Sequence, residues 1–224
     1  MITKEKMASL IDHTLLKPDA TSNDIRRLCR EATKYNLWSV CVNPYYIPLA
    51  ARILQDTPVK VCSVVGFPLG ANTTEVKASE AKKAISDGAN EIDMVINIGA
   101  LKSGDEELVK QDIKSVVKQG ILAQRKTIVK VIIETGLLID KEKVMACQIT
   151  KESGANFVKT STGINTRGAT VHDVKFIRNI VGPEFGIKAS GGIRTYEDAV
   201  KLIEAGANRI GTSSGTKIMK SIKT

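Results

Sequence analysis

The sequence predicts an α/β fold: a (β/α)8 TIM barrel with a short N-terminal helix, formed by residues 1–224 as one domain. Three observations carry this. Eight strand–helix units alternate strictly along the chain, with short connections and no Pro/Gly/Ser linker. The strand segments are near-continuous apolar runs, as expected of a parallel sheet covered on both faces. A helix–loop–strand unit is also echoed in SDGANEID (86–93), ESGANFVK (152–159) and EAGANRIG (204–211). A doubly wound open sheet is the competing arrangement, but no GxGxxG opens the first unit.

The elements follow in order. Residues 3–11 read as a helix capped by Thr3, with Met7, Leu10 and Ile11 on one face. HTLLK (13–17) is the first strand. Residues 22–35 place Ile25, Leu28, Cys29 and Ala32 at helical spacing. WSVCVNP (38–44) is a strand stopped by Pro44, and 45–55 a short helix. VKVCSVVGFP (59–68) is a strand, 73–86 a helix, EIDMVINIG (91–99) a strand and 105–119 a helix. TIVKVIIETG (127–136) is rich in β-branched residues, as strands are. A helix over 140–153 capped by Asp140 leads to FVKTSTG (157–163). Helices over 171–180 and 196–205, capped by Thr170 and Thr195, flank GIKASGG (186–192). RIGTSSG (209–215) opens the last helix. In the echo, Gly88, Gly154 and Gly206 suit the left-handed position past a helix end. Asp93, Lys159 and Gly211 fall at the same place, so Asp93 and Lys159 are expected to point the same way.

Composition narrows the function classes. Hydrophobic content of 42% and charged content of 25% describe an ordinary soluble protein. No segment reaches the roughly 20 apolar residues of a membrane span, and the N-terminus has no signal-length apolar stretch. A cytoplasmic location is expected. Cys29, Cys41, Cys62 and Cys147 have no CxxC spacing, and His13 and His172 share no ligand spacing, so no metal and no cofactor is expected. Net charge of +9 raises nucleic acid as a partner, but the lysines are dispersed among Glu and Asp without stacking aromatics. The excess is read as solvated helix faces and a preference for an anionic small molecule.

The chemistry centres on lysines inside strands. Lys159 follows Phe157 and Val158, and Lys188 follows Ile187, each before a small, glycine-bearing loop. Burying an ammonium group is costly unless it is paired or neutralised. A second cation and desolvation make a lysine a nucleophile toward carbonyls. Asp93, between Ile92 and Met94, adds a carboxylate, either as a buried ion pair or as a proton carrier. The loops Ser190-Gly191-Gly192 and Gly211-Thr212-Ser213-Ser214-Gly215 follow strands seven and eight, where this barrel commonly binds phosphate through backbone N–H groups and a helix N-terminus. Asp12 and Thr14 at the entrance to the first strand bind substrate hydroxyls or cap. Lys130 and Glu134 line the barrel or pair with Glu91. Cys41 and Cys62 read as core thiols.

IDHTLLKP (11–18), CVNP (41–44), EIDMVIN (91–97), KVIIETG (130–136), FVKTSTG, GIKASGGIRT (186–195) and IGTSSG together resemble the deoxyribose-phosphate aldolases over most of the chain, in order. The resemblance implies a class I, metal-free lyase. Such an enzyme reversibly cleaves 2-deoxy-D-ribose 5-phosphate to D-glyceraldehyde 3-phosphate and acetaldehyde. It implies Lys159 as the Schiff-base lysine, Lys188 as the second lysine that favours the neutral amine, and Asp93 as the acid/base carboxylate. Gly163, Gly191, Gly192, Ser213 and Ser214 match phosphate-binding positions, and Thr162 and Gly211 stand beside them. The expected partners are a phosphorylated sugar and small aldehydes, with no nucleic acid and no membrane, in a homo-oligomer (dimer or tetramer). Two departures stand out. Some members have a lysine directly after KTSTG, where this chain has Ile164, and Arg167 is the candidate replacement. Some also have a tail ending in tyrosine, whereas this chain ends at Lys223-Thr224, so no tail assistance is expected. Another Schiff-base aldolase and a non-catalytic polyanion-binding barrel are the alternatives.

Overall fold

The computed structural model describes residues 2–124 and 126–222. The expectation about the C-terminal tail lies outside the described residues. Eight parallel strands close into a barrel in chain order: β1 (Ile11–Leu15), β2 (Ser39–Val42), β3 (Lys60–Val65), β4 (Glu91–Val95), β5 (Ile128–Ile132), β6 (Phe157–Lys159), β7 (Gly186–Ser190) and β8 (Arg209–Thr212). Helices pack outside: α1 (Lys4–Ala8), α2 (Ser22–Lys34), α3 (Ile47–Leu54), α4 (Thr74–Ser86), α5 (Ile98–Lys102), α6 (Glu106–Leu122), α7 (Asp140–Glu152), α8 (Val171–Val181), α9 (Tyr196–Glu204) and α10 (Gly215–Ser221). No described helix is long and apolar enough to cross a membrane.

The predicted alternation holds, with local differences. The first strand begins at Ile11, two residues earlier than expected. Ile11 fits the helical spacing of Met7, but it pairs with Ile210 across the barrel seam. That shift moves Asp12 from a strand entrance into the sheet. The run EIDMVINIG conceals a boundary: β4 stops at Val95, and Asn97 caps the short α5 by accepting a hydrogen bond from Ala100 N. The N-cap of α7 is Ile139, with Asp140 the first helical residue; the Ile139 N–H donates to Glu142. Thr3, Thr170 and Thr195 cap as expected, each accepting from a backbone N–H three residues on.

The echoed Gly-Ala-Asn has a two-part role. Gly88, Gly154 and Gly206 take φ of 111°, 80° and 113°, which an L side chain adopts only with strain. Each asparagine then clamps the preceding strand. Asn90 accepts from Val61 N and donates its own N–H to Val61 O; Asn156 does the same with Val129, and Asn208 with Ile187. One asparagine, through its side-chain oxygen and its own N–H, thus satisfies both backbone groups of a residue on the neighbouring strand and fixes its register.

The apolar core lies between strands and helices, built from residues such as Val40, Val61, Ile92, Val131, Val158, Ile187 and Ile210. The barrel interior is filled differently, largely by charge: Asp12, Glu91, Asp93, Lys130, Lys159, Lys188 and Arg209 are all buried. At the lower end the Arg209 guanidinium lies 4.4 Å from the Trp38 ring centre and 5.4 Å from that of Phe157. Trp38 Nε1 donates to Glu91 at 2.7 Å, which closes that end.

Candidate active site

Asp93 is the hub of the interior. Its Oδ2 accepts from both Lys159 Nζ and Lys188 Nζ at 2.7 Å, and its Oδ1 from Lys130 Nζ at 2.9 Å. The network continues downward. Lys188 also reaches Asp12 Oδ2 at 2.5 Å, and Lys130 reaches Glu91 Oε2 at 2.5 Å. Arg209 bridges Asp12 at 2.9 Å and Glu91 at 3.1 Å. Ladder register produces this focus: Asp93 pairs with Lys130, and Lys159 with Lys188, on neighbouring strands. Lys188 owes its path to Gly211, where a Cβ would lie 2.9 Å from the lysine Cε.

Burial alone would push the Asp93 carboxyl up, but Lys130, Lys159 and Lys188 together outweigh it and hold it well below the usual carboxylate range. Asp12 is likewise held down, burial being overcome by Lys188, Arg209 and Lys130. Burial works against the ammonium forms of Lys188 and Lys130, yet the carboxylates around them prevail and raise both above the ordinary lysine value.

A cleft of about 490 Å³ opens above this network at the C-terminal ends of the strands. It is lined by Thr14, Lys159, Thr162, Gly163, Gly191, Gly192, Gly211 and Ser213, which gathers most of the sequence-predicted residues around one space. Among the described residues, Lys159 is the one network member that lines it. The backbone N–H groups of Gly163, Gly191, Gly192 and Ser213 have no acceptor inside the described chain. Gly163 and Gly191 are so close that a Cβ on either would come within 3.3 Å of the other's Cα.

Three candidates sit elsewhere than the cleft wall. Asp12 has no exposed surface and is not part of the cleft lining; it lies on Lys188 and Arg209, within the sheet and not at a strand entrance. Ser214 is not part of the cleft lining; its N–H donates to Thr212 Oγ1 as it enters α10. Arg167 does not supply a cation to the cleft, because Asp173 holds its guanidinium at 2.6 Å. Cys41 and Cys62 are buried as expected, but they face the network: Cys62 Sγ is 3.3 Å from Asp93 Oδ1 and Cys41 Sγ 3.9 Å from Oδ2. With Asp93 they form a compact set of potential metal donors, all within 4.8 Å. Three ammonium groups on the same carboxylate oppose a cation there, and burial pushes the Cys62 thiol well up, away from the thiolate a metal requires.

The sequence reading missed Lys17 and Arg194 on the cleft wall. Neither side chain has a carboxylate partner among the described residues; the Arg194 backbone N–H donates to Asp198. Both could have been noticed: Lys17 ends the first strand segment, and Arg194 stands in GIKASGGIRT, at the barrel end where sites form.

A closed parallel barrel with lysine amines gathered on one carboxylate beneath an open cleft defines a class: barrel enzymes equipped for carbonyl chemistry. The description "DeoC/LacD family aldolase" matches residues 6–221, and the chain belongs to that family. It is 56% identical over 227 residues to the deoxyribose-phosphate aldolase of Caldanaerobacter subterraneus subsp. tengcongensis, covering 100% of this chain and 98% of the relative. The enzyme of the same name from Thermococcus kodakarensis is 59% identical over 221 residues, covering 98% of each. Among solved structures, a deoxyribose phosphate aldolase from Aeropyrum pernix, described as having a unique tetrameric structure, superposes with a TM-score of 0.91 at 39% identity. The match covers 98% of this chain and 92% of that chain.

Proposed function

We propose that this protein reversibly cleaves 2-deoxy-D-ribose 5-phosphate to D-glyceraldehyde 3-phosphate and acetaldehyde, with Lys159 as the Schiff-base nucleophile, the whole chain acting as one barrel domain. The observation that carries the residue assignment is a count of charges. The buried network contains four cations, Lys130, Lys159, Lys188 and Arg209, against three carboxylates, Asp12, Glu91 and Asp93. Releasing one proton balances it and leaves a neutral amine, the form that attacks a carbonyl. Lys159 is the member with access to the cleft.

The steps follow from that arrangement. The Lys159 amine adds to the C1 aldehyde of the open-chain sugar, and loss of water gives an iminium. The iminium draws electrons from the C2–C3 bond, which breaks as the C3 hydroxyl gives up its proton, releasing glyceraldehyde 3-phosphate. The remaining two-carbon enamine takes a proton at C2 and is hydrolysed to acetaldehyde. Asp93, which accepts from Lys159 Nζ and from Lys188 Nζ at 2.7 Å each, and Lys188 behind it are the groups placed to pass these protons. At the far end, the free N–H groups of Gly163, Gly191, Gly192 and Ser213 suit phosphate oxygens, and Lys17 and Arg194 add positive charge. Assembly into a homo-oligomer belongs to the same proposal, supported by the tetrameric relative.

Borohydride trapping tests it. Acetaldehyde followed by borohydride should leave a reduced two-carbon adduct on Lys159. An adduct on Lys188 would exchange the roles of the two lysines. No adduct on either, in folded protein, would remove the reading.

A further inference from the structure

Glu134 has no part in the chemistry above, yet its setting is unusual. It follows β5, is fully buried, and takes φ of 45°, a left-handed conformation rare for a side chain of its size. No cation contacts it among the described residues. Its carboxyl group is held by neutral groups of the loop after β6. Oε2 accepts from Thr162 Oγ1 at 2.5 Å, from Thr162 N at 3.4 Å and from Asn165 Nδ2 at 3.4 Å, and Oε1 accepts from Thr166 Oγ1 at 3.1 Å. A buried carboxyl group without a cation is expensive to keep, and backbone strain adds to the cost.

The contacts show what the arrangement achieves. Because Thr162 gives its hydroxyl proton to Glu134, its oxygen faces the turn and accepts from Ile164 N at 3.2 Å and Asn165 N at 3.4 Å. Those bonds wind the chain around Gly163, at φ of 80°, and leave the Gly163 N–H without an internal acceptor beside the cleft. Asn165 ties the same turn to Pro68 O at 2.9 Å. We propose that Glu134 is a positioning residue for the phosphate end of the substrate. It sets the direction of the Thr162 hydroxyl, and through it the shape of the Gly163 turn, without touching the reacting carbons. The inference rests on the aldolase reading above and adds how the enzyme prefers a phosphorylated substrate.

The test compares wild type, Glu134→Ala and Glu134→Gln on 2-deoxyribose 5-phosphate and on unphosphorylated 2-deoxyribose, with acetaldehyde trapping by borohydride alongside. Glu134→Ala should raise KM for the phosphorylated sugar about tenfold or more with kcat within about threefold, the signature of lost binding that does not change the chemical step. Its kcat/KM on 2-deoxyribose and its trapping rate should match wild type. Glu134→Gln keeps one acceptor oxygen for Thr162 and should fall between; if the alanine variant does not fold, the glutamine variant decides by the same criteria. An equal loss on both sugars, or an unchanged KM for the phosphorylated one, overturns the proposal. A wild-type protein that neither traps acetaldehyde nor cleaves the sugar overturns the aldolase reading instead, and this proposal with it.

Discussion

The molecule buries lysine in two very different ways. Outside the barrel, between α4 and α6, Lys77 meets Asp112 at 2.5 Å and donates to Val95 O at 3.0 Å, with neither side chain more than 1% exposed. Here burial is the larger influence: it pushes Lys77 down and Asp112 up, each against the pull of the other. Inside the barrel Lys130 and Lys188 are just as buried, but each meets two or more carboxylates, and both are driven up instead. A buried lysine is therefore no mark of chemistry in itself. What distinguishes the barrel is an unbalanced group of charges with one amine at an opening, whereas the Lys77 pair is balanced and sealed.

Three experiments can break or sharpen this contrast. Lys159→Leu should cost about 10⁴-fold or more in cleavage rate, as loss of a covalent nucleophile does. Because it removes the surplus cation, its denaturant midpoint should stay at or above that of wild type. A loss of several kcal/mol in unfolding free energy would mean that the network is balanced after all. The outer pair should respond in the opposite sense. Asp112→Ala strands a buried ammonium group and should cost about 3–5 kcal/mol in chemical denaturation while the folded enzyme keeps its turnover. Replacing both partners by apolar residues, Lys77→Met with Asp112→Leu, should restore stability to within about 1 kcal/mol of wild type; a double variant as weak as the single one would show the pair to be stabilising in its own right.

The smallest effect concerns a partly solvated cluster. Asp173 accepts from Arg167 and lies near Lys143 at 3.1 Å. Burial raises its carboxyl, but hydrogen bonds from Arg167, Lys143 and Thr170 bring it down to about 2, below its unfolded value of 3.8. A depressed carboxylate stabilises the fold above the unfolded value and loses that contribution as pH falls from 3.8 toward 2. Arg167→Ala should shrink this acid-labile part by about 1 kcal/mol or less, since the arginine is half exposed and its pairing is screened. Denaturant midpoints of both proteins at pH 7 and pH 3 measure it; equal differences at the two pH values would remove Arg167 from the account.

The sequence carried the barrel and the heart of the site because both are written in local pattern. Strand–helix alternation follows from periodicity, and a lysine or aspartate within an apolar run is visible at once, so Lys159, Lys188 and Asp93 could be placed together. The Lys130–Glu91 pair was likewise readable as a possibility. Other features depend on what lies opposite in space. Lys77 and Asp112 occupy helix positions that look solvated until α4 meets α6. Arg167 looks like a free cation until Asp173 claims it. Asp12 was misplaced because an apolar helix face and an apolar strand start share Leu10 and Ile11. The asparagine of the echo showed as a repeat, but its clamp on the previous strand exists only once the strands are adjacent.

The closed lower end has a consequence for isotopes. With Arg209 stacked near Trp38 and Phe157 and fixed to Asp12 and Glu91, the described residues fill the lower end of the barrel, while the cleft opens at the other. In the proposed mechanism, hydrogen taken from the substrate leaves toward bulk water on the cleft side, where the substrate sits. Label exchange between a bound intermediate and solvent is thereby tied to the opening of the mouth, and the barrel's floor helps decide where a deuteron ends up.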